Sequence, residues 1–274
     1  MAEYKHIWGQ GIIDYRNKDL AALKMRKCLE SINVYYPEKQ GEVLEIGCGA
    51  GRFIRSLKAH LPHFHYSGCD IDAGSIRLAA SYDDGISYQV ADAVSLPYTD
   101  RMFDVIVLFD ILEHVENTGH FMKEILKITR QGTLLHTYVP CEGEPHTLYW
   151  FLNKLKIGHN LTRKHAGHIN RFTKKEIIEL FKAYNFKVLD ISYSTYLLGQ
   201  FIDLTYYAMQ EIGLIRETLL TAHAAKDVDE EQSPFISRLF KKIINKAFHI
   251  SYLESVSCKN GKLAQGLHLT CIRR

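Results

Sequence analysis

The stretch of sequence that decides the fold is GEVLEIGCGAGRFIRSL, residues 41–57. A short apolar run leads to the acid Glu45, glycines then stand at alternate positions, and a helical pattern begins at Arg52. The three glycines are Gly47, Gly49 and Gly51. Glycine gives up backbone order, so three of them between a strand and a helix indicate that something comes close to the main chain there.

The bulk properties of the 274-residue chain are those of an ordinary globular protein, and one large domain with an elaboration is the simplest expectation. The formal net charge of +3 is too small to favour a nucleic-acid partner. The first ten residues lack the apolar segment of a signal peptide, no apolar run is long enough to cross a bilayer, and the six cysteines form no CxxC pair. We therefore expect a reduced, cytoplasmic protein without a zinc site or a disulfide framework.

Strand and helix patterns alternate along most of the chain. The strand patterns cover residues 43–46, 65–69, 86–90, 103–109, 133–140 and 186–192, and the helical patterns cover residues 19–36, 52–60, 74–82, 119–129 and 173–184. Near-continuous apolar strands separated by helices are typical of a parallel sheet that is covered on both faces. The tail, residues 265–274, again has a strand pattern, so we expect it to complete the sheet after an inserted helical segment.

The chain divides into four predicted parts. Residues 1–40 form an N-terminal helical cap, and residues 41–193 together with 263–274 form the ligand-binding core. Residues 141–172 are a basic, histidine-rich insertion, and residues 194–262 are a helical lid that would contact the substrate. The two insertions lack strand character, which sets them apart from the regular alternation of the core.

Two kinds of cofactor compete for a glycine-rich turn at the end of the first strand. The dinucleotide fingerprint G-x-G-x-x-G places its third glycine three residues after the second, but Arg52 stands there and the third glycine is Gly51. Glu45 would also lie close to a pyrophosphate, whereas an acid suits a ligand that carries an ammonium group. The pattern E-x-G-x-G-x-G therefore disfavours NAD and favours S-adenosylmethionine.

Two further acids follow the next two strands. Asp70 ends the second strand, where it can accept hydrogen bonds from both hydroxyls of a ribose, and Asp92 stands just past the third strand, within reach of an adenine amino group. Singly, each acid is more often a helix cap or a solvated loop residue. Together with Glu45 they place acids at the ends of three successive strands, which favours one shared ligand.

Five segments in this order resemble the class I S-adenosylmethionine-dependent methyltransferases, of the group that includes the ubiquinone-biosynthesis O-methyltransferases. They are VLEIGCGAGRF, GCDID, VADAVSLPYTDRMFDVIV, DILEHV and GHINRFTKKEIIELFKAYNFKV. The resemblance covers about residues 43–192 and hardly touches the C-terminal third. It implies an α/β fold with a Rossmann-like, seven-stranded, mostly parallel sheet, helices on both faces, an antiparallel last strand and helical insertions that form a lid.

The resemblance also implies the cofactor, S-adenosyl-L-methionine, which leaves as S-adenosyl-L-homocysteine. Its methionine end would lie on Glu45 and the three glycines, its ribose on Asp70, and its adenine near Asp92. The expected cofactor-binding residues are Tyr15, Glu45, Gly47, Cys48, Gly49, Gly51, Asp70, Ile71, Asp92, Ala93, Phe109 and Asp110. Tyr15 is included because an N-terminal segment often covers the cofactor in this group.

Methyl transfer needs the acceptor in line with the methyl group and, where necessary, a base. His114 is the first candidate base, because an imidazole with a pKa of about 6.5 exchanges protons near neutrality, although it could instead cap or pack the following helix. His168 is the second candidate. The [Asn/Asp]-Pro-Pro-aromatic motif of methyltransferases that act on adenine amino groups does not follow the fourth strand. Cys141 follows a proline, and we interpret it as a loop cysteine rather than a nucleophile.

A divalent metal is an alternative suggested by the resemblance. Some similar quinone O-methyltransferases bind one through two acids and a histidine in this segment, which would correspond to Asp110, Glu113 and His114. Oxygen and imidazole ligands suit Mg²⁺ or Zn²⁺. Many relatives share these letters without a metal, so we expect that none is required.

The stretch of residues 141–172 combines aromatic and cationic side chains, as expected of a lid over an aromatic, carboxylate-bearing or phosphate-bearing acceptor. The predicted substrate contacts are His146, Tyr149, Trp150 and Arg171. Residues 234–250 are strongly amphipathic with a basic face. They would lie on a membrane surface near a lipid-like acceptor, or pack over the active site or against the second subunit of a homodimer.

The sequence thus predicts methyl transfer to a small or medium-sized organic acceptor, most simply at oxygen, with nitrogen and carbon also open. An RNA or protein methyltransferase and a non-catalytic scaffold that binds S-adenosylmethionine are the alternatives. An NAD-linked enzyme is the least favoured, because the third glycine is misplaced for a dinucleotide.

Overall fold

The computed structural model describes residues 9–99, 101–158, 160–213 and 235–274, and of residues 235–245 only the backbone. Its centre is a sheet of seven strands. The strands are β1 Gly41–Ile46, β2 Phe64–Asp70, β3 Ser87–Val90, β4 Phe103–Phe109, β5 Thr129–Pro140, β6 Phe186–Ser194 and β7 Gly266–Arg273. The helices are α1 Leu20–Tyr35, α2 Arg52–His60, α3 Ala73–Ala80, α4 Thr118–Lys127, α5 Leu148–Lys154, α6 Leu161–His165, α7 Lys174–Ala183, α8 Leu197–Glu211 and α9 Phe235–Ser257. Short 3-10 turns span Leu112–His114 and Gly261–Leu263.

The strand order is β3–β2–β1–β4–β5–β7–β6. Strands β1 to β5 pair in parallel, whereas β7 runs antiparallel to both of its neighbours, β5 and β6. The predicted mostly parallel sheet with an antiparallel last strand is therefore confirmed. The strand order reverses direction between β1 and β4, and ligands of open α/β sheets bind in the crevice at the carboxyl ends of such a pair.

Helices cover both faces of the sheet, and each face has its own hydrophobic cluster. On one face, Phe121 of α4 and Phe181 of α7 belong to the same cluster as Ile106 of β4. On the other face, Met25 of α1 and Leu57 of α2 join the inward side chains of β1 and β4. Strand β4 is buried at every position, which explains its continuous apolar sequence.

The beginnings of the helices follow from local side-chain chemistry. Asp19 accepts a hydrogen bond from the Ala22 amide at the start of α1, and Thr173 and Glu176 form a capping box at the start of α7. Helix α2 begins differently, because its N-cap is Gly51 with φ +84° and no side chain caps it. The first turn of α2 therefore lacks the side-chain acceptor that α1 and α7 have.

Strand β5 begins at Thr129, four residues before the predicted strand. Its pairing with β4 passes from Phe103–Thr129 to Val105–Leu134, with an irregularity between the two pairs. Gly132, in the intervening stretch, has φ +92°. This bulge and its polar residues break the apolar pattern, so the sequence showed only the second part of the strand.

The C-terminal helices α8 and α9 are inserted between β6 and β7, as expected from the sequence. Helix α8 packs against α5, α6 and α9, and Glu254 of α9 accepts hydrogen bonds from the first amides of α8. The amphipathic face predicted for residues 234–250 falls mostly on residues whose side chains lie outside the described part of the chain. Among the described residues, no helix has the length and apolar composition needed to cross a bilayer.

Candidate active site

The turn after β1 consists of three glycines in the left-handed region of backbone conformation. Their φ angles are +75° at Gly47, +52° at Gly49 and +84° at Gly51. The amides of Gly47 and Cys48 both donate to the carbonyl of Cys69 at the end of β2, at 2.7 and 3.0 Å. Side chains rarely adopt such φ angles, so the turn requires glycine on conformational grounds alone.

Two of these glycines also make room for side chains of the protein itself. A Cβ added to Gly47 would lie 1.8 Å from Cδ1 of Ile111, and a Cβ added to Gly51 would lie 2.6 Å from the hydroxyl of Tyr88. From the sequence, a ligand is the expected reason why glycines are needed in this turn. The structure shows that side chains of the protein also lie close to the main chain here. The contact between Gly47 and Ile111 has a further consequence, because it joins the turn after β1 to the turn after β4.

The N-terminal segment approaches the glycine turn with Gly9, where an added Cβ would lie 3.2 Å from the backbone nitrogen of Ala50. Tyr15 lies elsewhere. Its ring makes an edge-to-face contact with His60, with the ring centroids 4.6 Å apart. His60 ends α2, about two helical turns beyond the glycine turn. Tyr15 therefore does not lie with the other predicted cofactor residues, and the residue of this segment that does is Gly9.

Glu45 is buried within β1 on the face that α2 covers. Its Oε2 atom has no hydrogen-bond partner among the described residues, and its side chain accepts a hydrogen bond from the backbone amide of Ile54. Burial raises the pKa of Glu45 to about 8, against the opposing effect of that amide. A buried carboxyl with an unpartnered oxygen is costly for a fold to keep, so its place under the glycine turn favours a cationic ligand group there.

Asp70, the last residue of β2, lies directly against the glycine turn. Its carboxylate accepts hydrogen bonds from the amides of Gly49, at 2.7 Å, and Asp72, at 2.9 Å. Burial raises the pKa of Asp70, although these amides act in the opposite direction. Each carboxylate oxygen can accept a second hydrogen bond, so Asp70 both supports the turn and retains acceptor capacity. Ile71 beside it is 58% exposed.

Asp92 and Ala93 follow β3 at the same edge of the sheet. The Asp92 side chain is exposed, and its Oδ1 accepts a hydrogen bond from the Val94 amide at 3.0 Å. Ala93 packs partly against the core. The three predicted acids thus lie at the carboxyl ends of successive strands along one edge of the sheet: Glu45 in β1, Asp70 at the end of β2 and Asp92 just after β3.

The turn after β4 begins with a strained residue. Asp110 has φ +55°, an unusual value for a residue with a side chain, and such strain is common at functional sites. Its carboxylate forms an ion pair with Lys24 of α1 at 2.5 Å, and the Lys24 ammonium lies 3.7 Å from the centre of the Tyr138 ring. The preceding Phe109 is buried and stacks on Phe53 of α2. Asp110 is therefore held by α1.

Glu113, His114 and His168 form a compact cluster beside this turn. One potential ligand atom of each residue lies within 4.8 Å of those of the other two. The two histidine rings meet edge to face at 5.1 Å, and Nδ1 of His114 lies 3.1 Å from the carbonyl of Gly167. Glu113 is fully buried, yet neither carboxylate oxygen has a hydrogen-bond partner in the part of the chain that the structure describes. Both predicted catalytic histidines thus share one site.

The electrostatics of this cluster differ from residue to residue. Burial raises the pKa of Glu113, and the charge of Asp110 adds to the effect. Burial also lowers the pKa of His114, with the neighbouring His168 acting in the same direction. For His168 burial again acts to lower the pKa, but the hydrogen bond and charge of Glu142 outweigh it and the net shift is upward.

Glu142, just after β5, is the buried partner of His168. Its Oε1 lies 2.6 Å from Nδ1 of His168, and its Oε2 accepts a hydrogen bond from the Thr162 hydroxyl at 2.8 Å. Arg171 lies 3.9 Å from the same Oε2. Arg171, predicted to contact substrate, therefore has a protein carboxylate as its partner. Glu142 was not predicted as a site residue, because a single acid in a loop belongs to no sequence motif.

Helix α8 brings a fourth acid near this group. Burial raises the pKa of Asp203 to about 7, and the charges of Lys24, Glu142, Asp110 and His168 all act on it. Burial raises the pKa values of the buried Tyr149 and the half-buried Tyr207, and the charge of Asp203 raises both further. Neither Asp203 nor Lys24 belongs to a recognisable motif, so neither was predicted as a site residue.

Of the other predicted residues of the basic insertion, Tyr149 lies near Asp203 and Glu142, whereas His146 and Trp150 lie beside each other. His146 is exposed and lies near Trp150, with ring centroids 6.1 Å apart, and Lys154 lies over the Trp150 ring. Tyr149 is buried. Cys141 is fully buried and burial raises the pKa of its thiol, as expected of an inert cysteine rather than a nucleophile.

The metal site suggested by the resemblance does not fit this arrangement. It required Asp110 with Glu113 and His114, but the Asp110 carboxylate is paired with Lys24. The compact group has His168 in its place. A lysine ammonium on the expected ligand competes with a divalent cation, so we derive no step through a metal.

The comparisons with known proteins define the class. A sequence model of the methyltransferase-domain family matches residues 16–191, which is more than half of the chain. The chain therefore belongs to the class I S-adenosylmethionine-dependent methyltransferase family. The predicted family and its Rossmann-like fold are confirmed, and membership implies S-adenosylmethionine as the cofactor.

Several curated relatives are similar over part of their length. The chain is 27% identical over 119 residues to norajmaline N-methyltransferase of Rauvolfia serpentina, covering 41% of each protein. It is 23% identical over 174 residues to the ubiquinone/menaquinone biosynthesis C-methyltransferase UbiE of Desulfotalea psychrophila, covering 58% of this chain and 70% of that protein. The chain spans only 28% of the length of another relative, phosphoethanolamine N-methyltransferase 1 of Zea mays.

Solved structures share the fold at low identity. A proposed sarcosine dimethylglycine methyltransferase from Galdieria sulphuraria has a TM-score of 0.59 at 12% identity, over 92% of this chain and 86% of that one. A geranyl diphosphate methyltransferase, solved with GPP and sinefungin, has a TM-score of 0.56 at 12% identity, over 98% and 90%. At these identities the comparison supports the fold alone.

Proposed function

We propose that this protein transfers a methyl group from S-adenosylmethionine to a small or medium-sized organic molecule. The observation that carries the proposal is the contact between Gly47 and Ile111. It joins a glycine turn suited to the cofactor to the segment that carries Glu113 and His114. Cofactor and acceptor can then meet at the carboxyl ends of β1 and β4, where the strand order reverses.

The residues around the glycine turn fit the cofactor. Glu45 offers a buried oxygen without a partner to the ammonium group of the methionine end. Asp70 retains acceptor capacity for the ribose hydroxyls, and the exposed Ile71 and Asp92 lie beyond it for the adenine. When bound, S-adenosylmethionine supplies an electrophilic methyl group on a sulfonium sulfur.

The histidine cluster would handle the proton of the acceptor. A carbonyl oxygen can only accept, so the contact of His114 Nδ1 with Gly167 leaves the proton on Nδ1 and a lone pair on Nε2. Burial lowers the pKa of His114, which favours the neutral form that can take up a proton. His168 is held by Glu142 and would remain cationic beside it. We assign His114 as the base and His168 as its neighbour.

Sequence similarity does not identify the atom that receives the methyl group, because the similar proteins include N-methyltransferases and a C-methyltransferase by name. The preference for oxygen rested on the resemblance and stays a prediction. The cytoplasmic location, a homodimer and a membrane contact through residues 234–250 also stay predictions.

The test is calorimetric titration of the purified protein with S-adenosylhomocysteine, with NAD⁺ as the control ligand. Micromolar binding of S-adenosylhomocysteine alone is the expected result. Binding of NAD⁺ instead, or of neither ligand, would refute the proposal. A screen for transfer of a radiolabelled methyl group then separates an enzyme from a scaffold, which would bind the cofactor without turnover.

A further inference from the structure

The surroundings of the histidine cluster are more acidic than the sequence suggested. Four carboxyl groups act on one another or on His168 there, and we call them the acidic cluster. Its members are Asp110, Glu113, Glu142 and Asp203. They come from the turns after β4 and β5 and from α8, so three separate parts of the chain converge on the place proposed for the acceptor.

Only part of the acidic cluster is paired with cations of the protein. Asp110 is paired with Lys24, and Glu142 with His168 and more distantly with Arg171. Within the described ranges of the chain, the exposed His114, at 4.0 Å, is the only basic residue within ion-pair range of Glu113. Among the described residues, none lies within that range of the Asp203 carboxylate with an opposite charge. Two carboxyl groups are therefore left over.

Glu113 provides independent evidence that a ligand belongs here. It is 0% exposed, and both of its carboxylate oxygens lack a hydrogen-bond partner. One of its carboxylate oxygens lies within 4.8 Å of a ring nitrogen of His114 and of a ring nitrogen of His168. Native proteins rarely leave both oxygens of a buried carboxyl unsatisfied, so a missing donor is the simplest explanation.

The site already contains the ammonium group of Lys24. The carboxylate and the aromatic ring around that group show which side chains can bind a second ammonium group. The Lys24 ammonium contacts the Asp110 carboxylate and lies 3.7 Å from the centre of the Tyr138 ring. Aromatic faces combined with a carboxylate are favourable for cations. Tyr149 and Tyr207 extend the aromatic surroundings of Asp203.

Two lysines of the basic insertion, Lys154 and Lys164, are not paired with the acidic cluster. Lys164 is paired with Glu211 at the end of α8, and Lys154 lies over the Trp150 ring. Arg171 approaches Glu142. The expectation of a carboxylate-bearing or phosphate-bearing acceptor assumed that these cations face the acceptor. Lys154 and Lys164 have other partners, and Arg171 lies near a carboxylate of the protein itself.

We propose that the methyl acceptor is an amine that binds as its ammonium form beside Glu113, whose buried carboxyl group lacks a donor among the described residues, and that the methyl group is transferred to nitrogen. This inference rests on the proposed methyltransferase function. An ammonium nitrogen has no lone pair, so it must give up a proton before it can react. The lone pair on Nε2 of His114, 4.0 Å from Glu113, receives that proton.

The experiment uses the full chain saturated with S-adenosylhomocysteine and three probes that share one skeleton. Phenethylamine, phenethyl alcohol and hydrocinnamate differ only in whether they carry an ammonium group, a hydroxyl or a carboxylate. Tetramethylammonium and tert-butanol form a smaller pair, which tests the ammonium site without demands on the fit of a ring. Binding is measured from chemical-shift changes of labelled tyrosines and by calorimetry.

Three variants accompany the wild type. Glu113→Gln and Asp203→Asn each remove one carboxyl group while preserving its shape, and Asp203 is only partly buried. Glu179→Gln is the control, because Glu179 is an exposed residue of α7 paired only with Lys182. All variants are first titrated with S-adenosylhomocysteine.

We expect the ammonium probes to bind at least about tenfold more tightly than the neutral and anionic ones, and this preference to disappear in Glu113→Gln, to weaken in Asp203→Asn and to remain in Glu179→Gln. Equal binding of all probes, a preference for the alcohol or the carboxylate, absence of ammonium binding, or a preference that survives both variants overturns the inference. In those cases S-adenosylhomocysteine still binds and the proposed function stands. Failure of S-adenosylhomocysteine itself to bind overturns both.

Discussion

Ile111 occupies the place where a side chain on Gly47 would have to stand, with its Cδ1 atom 1.8 Å from that Cβ position. The two residues follow different strands, β1 and β4, at the point where the strand order reverses. The turn proposed for the cofactor and the turn that carries Glu113 and His114 are therefore one packed unit. A substitution that shifts the backbone of one turn should therefore also shift the other turn.

The first prediction concerns this contact. Gly47→Ala should lower both the thermal midpoint of unfolding and the affinity for S-adenosylhomocysteine, because the new Cβ adds a collision to the strain of φ +75°. The control is Gly132→Ala, which is equally strained at φ +92° but has no atom within 4 Å of the added Cβ. Calorimetry and thermal melts of both variants separate strain from collision.

Ile111→Ala in the Gly47→Ala background completes that test. Removing the Ile111 side chain should relieve the collision and recover part of the lost stability, since only the backbone strain then remains. If Gly47→Ala behaves like Gly132→Ala, or if the double variant is no better than the single one, the two turns are not coupled through this contact.

The second prediction concerns Glu45. Burial raises its pKa to about 8, so the side chain is mostly protonated at pH 7. An ammonium group beside it favours the ionised form, and binding of S-adenosylhomocysteine at pH 7 should therefore release a proton. Calorimetry in buffers with different ionisation enthalpies measures the release.

The matched variant is Glu45→Gln, which keeps the shape but cannot lose a proton. It should bind S-adenosylhomocysteine more weakly and without that proton release. A wild type that binds without releasing protons would show that Glu45 does not meet the ammonium group. Because a raised pKa in the folded state costs stability as pH rises from about 4.5 to 8, Glu45→Gln should also be the more stable protein at pH 8.

Strands and helices could be predicted from the sequence where the apolar spacing and the capping residues of an element lie close together in the chain. The buried strand β4 and the capped helices α1 and α7 show in the sequence because their apolar spacing and capping residues lie within a few positions of one another. The irregular start of β5 was missed, because its pairing depends on a bulge around Gly132 rather than on alternation. Nor did the sequence reveal that β7 lies inside the sheet.

The candidate site was predictable only on the cofactor side. Glu45, Asp70 and Asp92 follow successive strands, so the sheet alone brings them to one edge. Lys24, Glu142 and Asp203 come from α1, a loop and α8, and no spacing in the sequence connects them. The charge of the acceptor side depends on tertiary packing. For this reason the sequence predicts an aromatic, carboxylate-bearing or phosphate-bearing acceptor, whereas we propose an amine.

The third prediction concerns Asp70. Asp70→Ala should weaken S-adenosylhomocysteine binding more than tenfold, because it removes the acceptor proposed for the ribose and also the partner of the Gly49 amide. Asp72→Ala is the control. Asp72 caps α3 by accepting from the Gly74 and Ser75 amides, so its loss should cost about 1 kcal/mol of stability but little affinity. Equal affinity losses in the two variants would contradict the assigned role.

The fourth prediction concerns metals. Because Lys24 is paired with Asp110, chelator-treated protein should keep its affinity for S-adenosylhomocysteine and its thermal midpoint. Added Mg²⁺ or Zn²⁺ should change neither. A metal retained on purification, or a rise in the thermal midpoint that Glu113→Gln and His168→Gln abolish, would instead identify the group Glu113, His114 and His168 as a metal site.

The fifth prediction concerns the pair of His168 and Glu142. Burial acts to lower the pKa of His168, but Glu142 at 2.6 Å outweighs it, so the folded-state pKa lies above the unfolded value of about 6.5. This pair therefore stabilises the fold fully below pH 6.5, and its contribution is lost as pH rises through the folded pKa of His168. Glu142→Gln should lower the His168 pKa and remove that part of the pH dependence.

Thr162→Val provides the matched control, because it removes the hydroxyl that donates to Glu142 while leaving the carboxylate charge in place. The His168 pKa, measured by NMR on labelled histidine, should then stay raised. The direct measurement on His168 matters, since the buried Glu113 and Asp203 also make stability fall with rising pH. If Glu142→Gln leaves the His168 pKa unchanged, the charges of Glu113 and Asp110 and not the hydrogen bond to Glu142 keep His168 protonated.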